Sequence, residues 1–141
     1  MRPRWLLGSI ALLCVGCAGK IVPVSGVVKL DGEPLVGAVV TFQPIAQHNN
    51  PNPGPVSVGV TDDDGRYTLH LQLTGREREG AVLGHHRVHI VVYEGGTPKK
   101  TDDVKPKVPR QLLPPKFNSA SELTYHVVGG TKSADFALSS R

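Results

Sequence analysis

Alternation of apolar and polar residues runs through most of the chain after residue 23 and predicts short β-strands. The clearest case is residues 66–72, where Tyr67, Leu69 and Leu71 alternate with polar residues. A period of two places successive side chains on opposite faces, as in a strand with one buried face. This pattern predicts seven strands, at 24–30, 38–43, 56–61, 66–72, 85–93, 123–128 and 134–139.

Turn residues separate these strands. Asp31-Gly32-Glu33-Pro34 follows the first strand, and Asp62-Asp63-Asp64-Gly65 is expected to join 56–61 to 66–72 as a hairpin, with Asp62 or Asp64 capping backbone amides. The 16 glycines and 12 prolines interrupt nearly every window of helical length. We therefore expect an all-β fold, a seven-stranded antiparallel β-sandwich with one core, over residues 23–141.

The N-terminus has the layout of an export signal. Arg2 and Arg4 precede the apolar residues 5–15, and Val15-Gly16-Cys17 follows. A cysteine directly after a small residue resembles the lipobox of bacterial lipoproteins. The resemblance implies a signal peptide at 1–16, cleavage before Cys17, and acyl chains on Cys17 that hold the protein to a membrane through a tether at 17–22.

Two other interpretations of this segment remain. The lipobox usually has Leu where this chain has Cys14, so a plain secretory signal and a short membrane anchor stay open. A run of about 11 apolar residues is too short to cross a ~30 Å hydrocarbon core as a helix, which disfavours the anchor. The expected location is the cell envelope, on the non-cytoplasmic side of a membrane. Ala18, in place of Asp after the lipidated cysteine, favours the outer membrane where the cell has one.

Charge and cysteine content exclude several classes of function. Without Arg2 and Arg4 the mature chain has 14 basic and 12 acidic residues, and this weak positive balance gives no reason to expect nucleic-acid binding. Acylation of Cys17 and loss of Cys14 leave no thiol for a disulfide, a thiolate metal site or a nucleophile. No feature of the sequence specifies an oligomeric state.

The longest irregular segment, residues 94–121, is basic and rich in proline. Its basic residues are Lys99, Lys100, Lys105, Lys107, Arg110 and Lys116. Loops of this length are typically functional or disordered. We expect either a solvated crossover between sheets or a contact surface for an anionic partner, such as lipid headgroups or acidic polysaccharide.

Two motifs resemble the carboxypeptidase regulatory-like domain, a transthyretin-like β-sandwich. The first is VSGVVKLDGEPLVGA at 24–38, and the second is TDDDGRYTL at 61–69, followed by GAVLGHHRV at 80–88. Together they cover about residues 22–93, and residues 113–138 resemble the tail of small lipoproteins built around this domain. The resemblance implies the fold but no single function, since the module occurs as an accessory domain, an adhesion-type repeat and a stand-alone lipoprotein.

No constellation of residues indicates catalysis, a metal site or a cofactor. No His is followed three residues later by Glu, and there is no Gly-x-Ser-x-Gly elbow or phosphate-binding glycine loop. The acidic run at 62–64 reads as a turn, because a calcium loop of the EF-hand type would need Glu at position 73, where Leu73 stands. His85 and His89 would lie about 13 Å apart on a strand and so could not share one ion, whereas His70 or His126 could meet another histidine across strands.

The expected function is therefore that of a membrane-anchored cell-envelope lipoprotein whose noncatalytic β-sandwich serves a structural or protein-interaction role. The alternative is a carbohydrate- or polymer-binding module at the cell surface. Sugar-binding sandwiches use exposed aromatic rings. Of the aromatic residues in the mature chain, only Tyr93 and Phe117 fall outside the predicted inward faces, so they are the candidates.

Overall fold

The computed structural model describes residues 19–95, 110–130 and 132–141, which form thirteen strands, one short 3-10 helix and no α-helix. The strands are β1 (Ile21–Val22), β2 (Val24–Leu30), β3 (Glu33–Pro34), β4 (Val39–Pro44), β5 (Ser57–Val60), β6 (Arg66–Thr68), β7 (His70–Leu73), β8 (Arg76–Glu79), β9 (Ala81–Val82), β10 (Gly84–Val91), β11 (Thr124–Val127), β12 (Lys132–Ser133) and β13 (Phe136–Leu138). The 3-10 helix is Pro115–Phe117. Within these residues no helix is long and apolar enough to cross a membrane.

The strands form two larger sheets and one small pair. The six-stranded sheet has the order β11-β10-β4-β5-β7-β8, and all its pairs are antiparallel. In the second sheet β2 is central, with β12 and β13 along one edge and β6 and β3 along the other. Strands β1 and β9 pair separately. All seven predicted strands overlap observed ones, so the all-β prediction is confirmed.

The hairpin predicted across the acidic turn is wrong in part. Residues 66–72 form two strands, and β6 pairs with β2 whereas β7 pairs with β5. The chain crosses between the sheets at Leu69, whose N–H donates to Val24 O and whose carbonyl accepts from Gly80 N–H. One continuous alternating run therefore supplies both sheets.

The expectation of wholly antiparallel pairing is also wrong at β2, which runs parallel to β12 and β13. Strand β11 is antiparallel to β10 and ends opposite Gly84, the first residue of β10. Strand β12, which follows β11 in the chain, therefore begins beside Val24, the first residue of β2, and runs in the same direction as β2. Residues Ala134 and Asp135 separate β12 from β13 without a change of register, since both strands keep the same offset from β2. There the Asp135 carboxylate accepts from Val27 N–H at 2.9 Å and fills the gap in the ladder.

One cluster of buried side chains draws on both sheets. Val28 and Tyr67 belong to the smaller sheet, and Val40, Phe42 and Ile90 belong to the six-stranded sheet. The Tyr67 hydroxyl donates to Ala134 O at 2.6 Å, and burial raises its pKa. The predicted inward face of the second strand is confirmed, because Ala38, Val40 and Phe42 are all 0% exposed.

The register defines two ends of the domain. At the Lys20 end, Lys20 O accepts from Leu83 N–H beside Gly84, the first residue of β10, and Gly84 pairs with Val127. At the Asp31 end lie the 31–32 turn, the 62–65 turn and the last residues of β10. Strand β10 connects the two ends, and its eight residues span about 23 Å.

Strand β8 lies at the edge of the six-stranded sheet and carries the sequence Arg-Glu-Arg-Glu, all four residues exposed. Arg76 and Arg78 lie opposite Leu73 and Leu71 and share their face, so the two glutamates occupy the other face. An antiparallel pairing of two copies along β8 would therefore set Arg against Arg and Glu against Glu. Like charges directly opposite each other destabilise a sheet, so this edge resists self-association.

Replacing all four β8 residues with threonine should promote association of the unacylated mature chain. We expect the average mass in analytical ultracentrifugation to rise with concentration toward a dimer or larger species, while the unsubstituted edge shows no such rise. Neutralising Asp63 and Arg110, which lie away from the edge, is the control. A mass independent of concentration in the four-threonine variant would contradict this account of the edge.

Candidate functional site

The two motifs of the resemblance meet at the Asp31 end. The Thr61 hydroxyl donates to Leu35 O at 2.5 Å and accepts from Ala38 N–H at 2.8 Å. Val28 N–H donates to Gly65 O, and Leu35 N–H donates to Val28 O. These contacts bind the 34–37 turn and the 62–65 turn to one strand, so this end is a rigid platform.

Asp62 caps the acidic turn. Its Oδ1 accepts from the backbone N–H groups of Asp64 and Arg66, both at 2.9 Å. Gly65 has φ of +73°, and a Cβ added there would lie 2.5 Å from Val28 O. Both features are those of a structural turn. Among the described residues, no three His, Cys, Asp or Glu side chains converge as a metal site would require.

Two described residues of the basic segment, Glu94 and Arg110, lie together at the Asp31 end. Lys99, Lys100, Lys105 and Lys107 lie outside the described residues. Arg110 is described and exposed, and its carbonyl accepts from Glu94 N–H at 2.9 Å. Leu112 N–H donates to Val92 O, so residues 110–112 continue beside the end of β10.

Phe117 is not an exposed aromatic residue, and that expectation is wrong. It is 8% exposed and packs in the core cluster, because the 3-10 turn that begins at Pro115 directs its ring inward. Lys116 remains exposed, with Nζ 5.0 Å from the centroid of the Phe117 ring. Tyr93 is half-buried and forms a β-bridge with Gln111. The two candidates therefore do not form an aromatic platform.

A surface groove with a volume of about 770 Å³ lies where β5 and β6 diverge into different sheets. Hydroxyl and amide groups come from Ser25, Thr68 and Gln72, and charged groups come from Asp62, Arg66 and Glu77. Sequence reasoning missed this groove because it assumed one continuous strand at 66–72. The lining suits a hydrated, polar ligand.

Two histidines meet across strands β10 and β11. His85 and His126 are register partners, and their exposed rings stack with centroids 4.0 Å apart and planes within 13°. His89 Nδ1 lies 2.8 Å from Asn118 O. The expectation that His126 could meet another histidine across strands is confirmed, and its partner is His85.

His86 points the other way, into the core, where it is 1% exposed. Its Nδ1 lies 3.0 Å from Gly84 O. Because that oxygen can only accept, Nδ1 carries the proton and Nε2 is left without a hydrogen-bond partner. Burial lowers the pKa of His86, and the neighbouring His85 and His126 lower it further.

This lowered pKa predicts a loss of stability in acid. A histidine with a folded pKa below its ordinary value of 6.5 contributes fully above pH 6.5, and that contribution is lost as the pH falls from there toward the folded value. We expect the free energy of unfolding to fall between about pH 7.5 and about pH 5.5, and to fall less in His86→Phe. Chemical denaturation followed by circular dichroism measures the free energy of unfolding of wild type and of His86→Phe at each pH. His48→Asn, a change at an exposed histidine, is the control. An equal fall in wild type and His86→Phe would contradict this assignment.

The proposed lipid site, Cys17, lies outside the described residues. Strand pairing starts at Ile21, inside the range 17–22 expected as a tether. The Lys20 carbonyl is already fixed, since it accepts from Leu83 N–H at 3.0 Å. No protein-family model, curated protein or solved structure matches this chain.

Proposed function

We propose that this chain is a lipoprotein of the cell envelope, anchored by acyl chains on Cys17, with a noncatalytic transthyretin-like β-sandwich that mediates interactions. The resemblance of residues 24–38 and 61–69 and the two sheets around one core support the sandwich. The lipobox-like Val15-Gly16-Cys17 supports the anchor. The partner is an envelope protein or an anionic polymer.

The observation that carries the proposal is the short distance between Cys17 and the folded domain. Only Ala18, Gly19 and Lys20 separate Cys17 from β1. The four residue steps from Cys17 to Ile21 span at most about 14 Å when extended. A lipid on Cys17 would thus hold the Lys20 end against the membrane and present the Asp31 end to the envelope.

The Asp31 end has features of a contact surface. Val36 and Leu112 are 49% and 52% exposed there, beside the exposed Arg110. Glu94 and Arg110, which flank the four lysines of the basic segment, both lie at this end, about 23 Å along β10 from the Lys20 end. Because of this distance, the basic segment is better placed to contact a partner in the envelope than the headgroups of the anchoring membrane.

Carbohydrate or polymer binding is the second candidate, and the groove between β5 and β6 favours it. Its hydroxyl, amide, guanidinium and carboxylate groups match the hydroxyl groups of a neutral polysaccharide. Here a purified neutral glycan should bind the mature chain, and Arg66→Ala should weaken that binding while Tyr93→Ala leaves it unchanged.

Intact mass spectrometry of the membrane fraction tests the anchor. We expect a chain that begins at Cys17 with added acyl mass, and we expect Cys17→Ser to lose both the acyl mass and the membrane retention. Two or more acyl chains hold a protein stably because each buried methylene contributes about 0.8 kcal/mol. Cys14→Ser should behave as wild type. A soluble, unacylated wild-type chain would refute the lipoprotein proposal.

Crosslinking in cells tests the interaction role. The comparison is between wild type and a variant with Glu at Lys99, Lys100, Lys105 and Lys107, with Lys29→Glu as a control for a charge change outside the segment. Loss of specific crosslinked species in the segment variant alone supports a partner at the Asp31 end. Unchanged crosslinks in all variants would exclude the segment as the contact.

A further inference from the structure

Charge is distributed unevenly between the two ends of the domain. The segments that build the Lys20 end are residues 19–23, 44–56, 80–87 and 125–130, and they contain no Asp or Glu. They carry the exposed Lys20, Arg87, His48, His85 and His126. Two acidic residues border these segments: Glu79 directly precedes Gly80, and Glu122 lies two residues before Thr124, the register partner of Arg87.

The Asp31 end holds most of the acidic groups in the described chain. They are Asp31, Glu33, Asp62, Asp63, Asp64 and Glu94. They lie in turns, in the two-residue strand β3 or just after β10, and all are exposed. The Asp31 end also carries the exposed Arg66, Arg110 and Lys116, so it is mixed in charge, whereas the segments of the Lys20 end are basic and without acidic residues.

Arg87 also lies beside a recess large enough for a small anionic group. The recess has a volume of about 310 Å³, and Pro44, Ile45 and Pro53 line it together with Arg87. Register places Arg87 between Gln43 and Thr124 on the outer face of the six-stranded sheet. The guanidinium is thus held on a strand, about 10 Å along β10 from Gly84.

We propose that the Lys20 end is a docking surface for the anionic phospholipid headgroups of the membrane that holds Cys17, with Lys20 and Arg87 as the binding cations. The proposal rests on the anchored lipoprotein proposed above, because the short linker brings this end to the headgroups. Anionic lipid attracts each nearby cation strongly enough to strengthen binding about fivefold. The guanidinium binds phosphate oxygens in a bidentate manner, which suits the Arg87 recess. The surface fixes the orientation of the domain, so the Asp31 end faces outward.

The test uses the acylated mature protein in vesicles of phosphatidylcholine alone and of phosphatidylcholine with phosphatidylglycerol. A fluorophore is attached to a new cysteine at Leu83→Cys, next to Lys20, or at Val36→Cys, at the Asp31 end. Lipids with a quencher in the headgroup report the proximity of each probe. Mass spectrometry first verifies acylation of Cys17, so a missing anchor is recognised separately from a failure of the docking surface.

We expect stronger quenching at Leu83 when phosphatidylglycerol is present, and little quenching at Val36 in either vesicle. The double variant Lys20→Glu with Arg87→Glu should lose the additional quenching at position 83 that phosphatidylglycerol causes. The double variant Lys29→Glu with Arg110→Glu should keep this additional quenching. In the Cys17→Ser background, the Lys20/Arg87 pair should account for about a 25-fold difference in vesicle affinity. Equal quenching with and without phosphatidylglycerol, an increment that survives Lys20→Glu with Arg87→Glu, or stronger quenching at Val36 would each overturn the proposal.

Discussion

Replacing Gly26 with alanine is expected to lower the free energy of unfolding by about 3 kcal/mol, the upper part of the usual range for overpacking. A Cβ at this position would lie 2.0 Å from Ala134 O and 2.6 Å from Ala134 C. Both contacts are with backbone, so no side-chain rotation relieves them. Residues Ala134 and Asp135 would have to move away from β2.

That movement would disrupt several hydrogen bonds at once. Ala134 N–H donates to Ser25 O, Ala134 O accepts from the Tyr67 hydroxyl, and the Asp135 carboxylate accepts from Val27 N–H. The C-terminal strands are held to β2 at this point, so their pairing should weaken together.

Gly129→Ala is the matched control, because a Cβ there meets nothing within 4 Å and its φ lies outside the left-handed region. It should change stability by less than about 1 kcal/mol, and in the stabilising direction if the unfolded chain loses freedom. Denaturant titrations followed by circular dichroism give both values. Similar stabilities for the two variants would show that the backbone at Ala134 and Asp135 can shift without cost.

The sequence predicted the positions of the strands because alternation depends only on which residues are buried. Val40, Phe42, Val88 and Ile90 lie inward as expected, all at 0% exposure. Alternation carries no information about which strand is the neighbour. It could not show that Leu69 is the crossing point between two sheets, since Tyr67, Leu69 and Leu71 keep the same period in both.

The candidate site was less predictable from sequence. The acidic turn predicts a cap by Asp62 or Asp64, because an aspartate in a turn accepts from nearby amides, and Asp62 is the residue that does so. Phe117 was placed outside because a proline-rich segment has no period from which to infer a face, yet its 3-10 turn buries the ring. The absence of acidic residues from the Lys20 end could be recognised only from the strand register, because the segments that build this end are far apart in the sequence.

Phe42→Ala is expected to cost about 4 kcal/mol, as large-to-small changes of buried phenylalanine typically do. Phe42 is 0% exposed and lies at the centre of an aromatic cluster. Its ring centroid is 5.7 Å from that of His86, 5.6 Å from Tyr125 and 6.1 Å from Phe136. Since Phe136 belongs to the smaller sheet, removing the Phe42 ring removes contacts that join the two sheets.

Phe42→Ala should also reduce the loss of stability that wild type shows in acid. A general loss of packing would not have this effect. The cavity would lie against His86 and admit water to Nε2, so the burial that lowers the pKa of His86 would be relieved. The variant should therefore be less stable at about pH 7.5 but lose less further stability by about pH 5.5 than wild type does. Val36→Ala, at a position 49% exposed, should leave both quantities unchanged. If Phe42→Ala kept the full acid dependence of wild type, the unpartnered His86 nitrogen would not be its source.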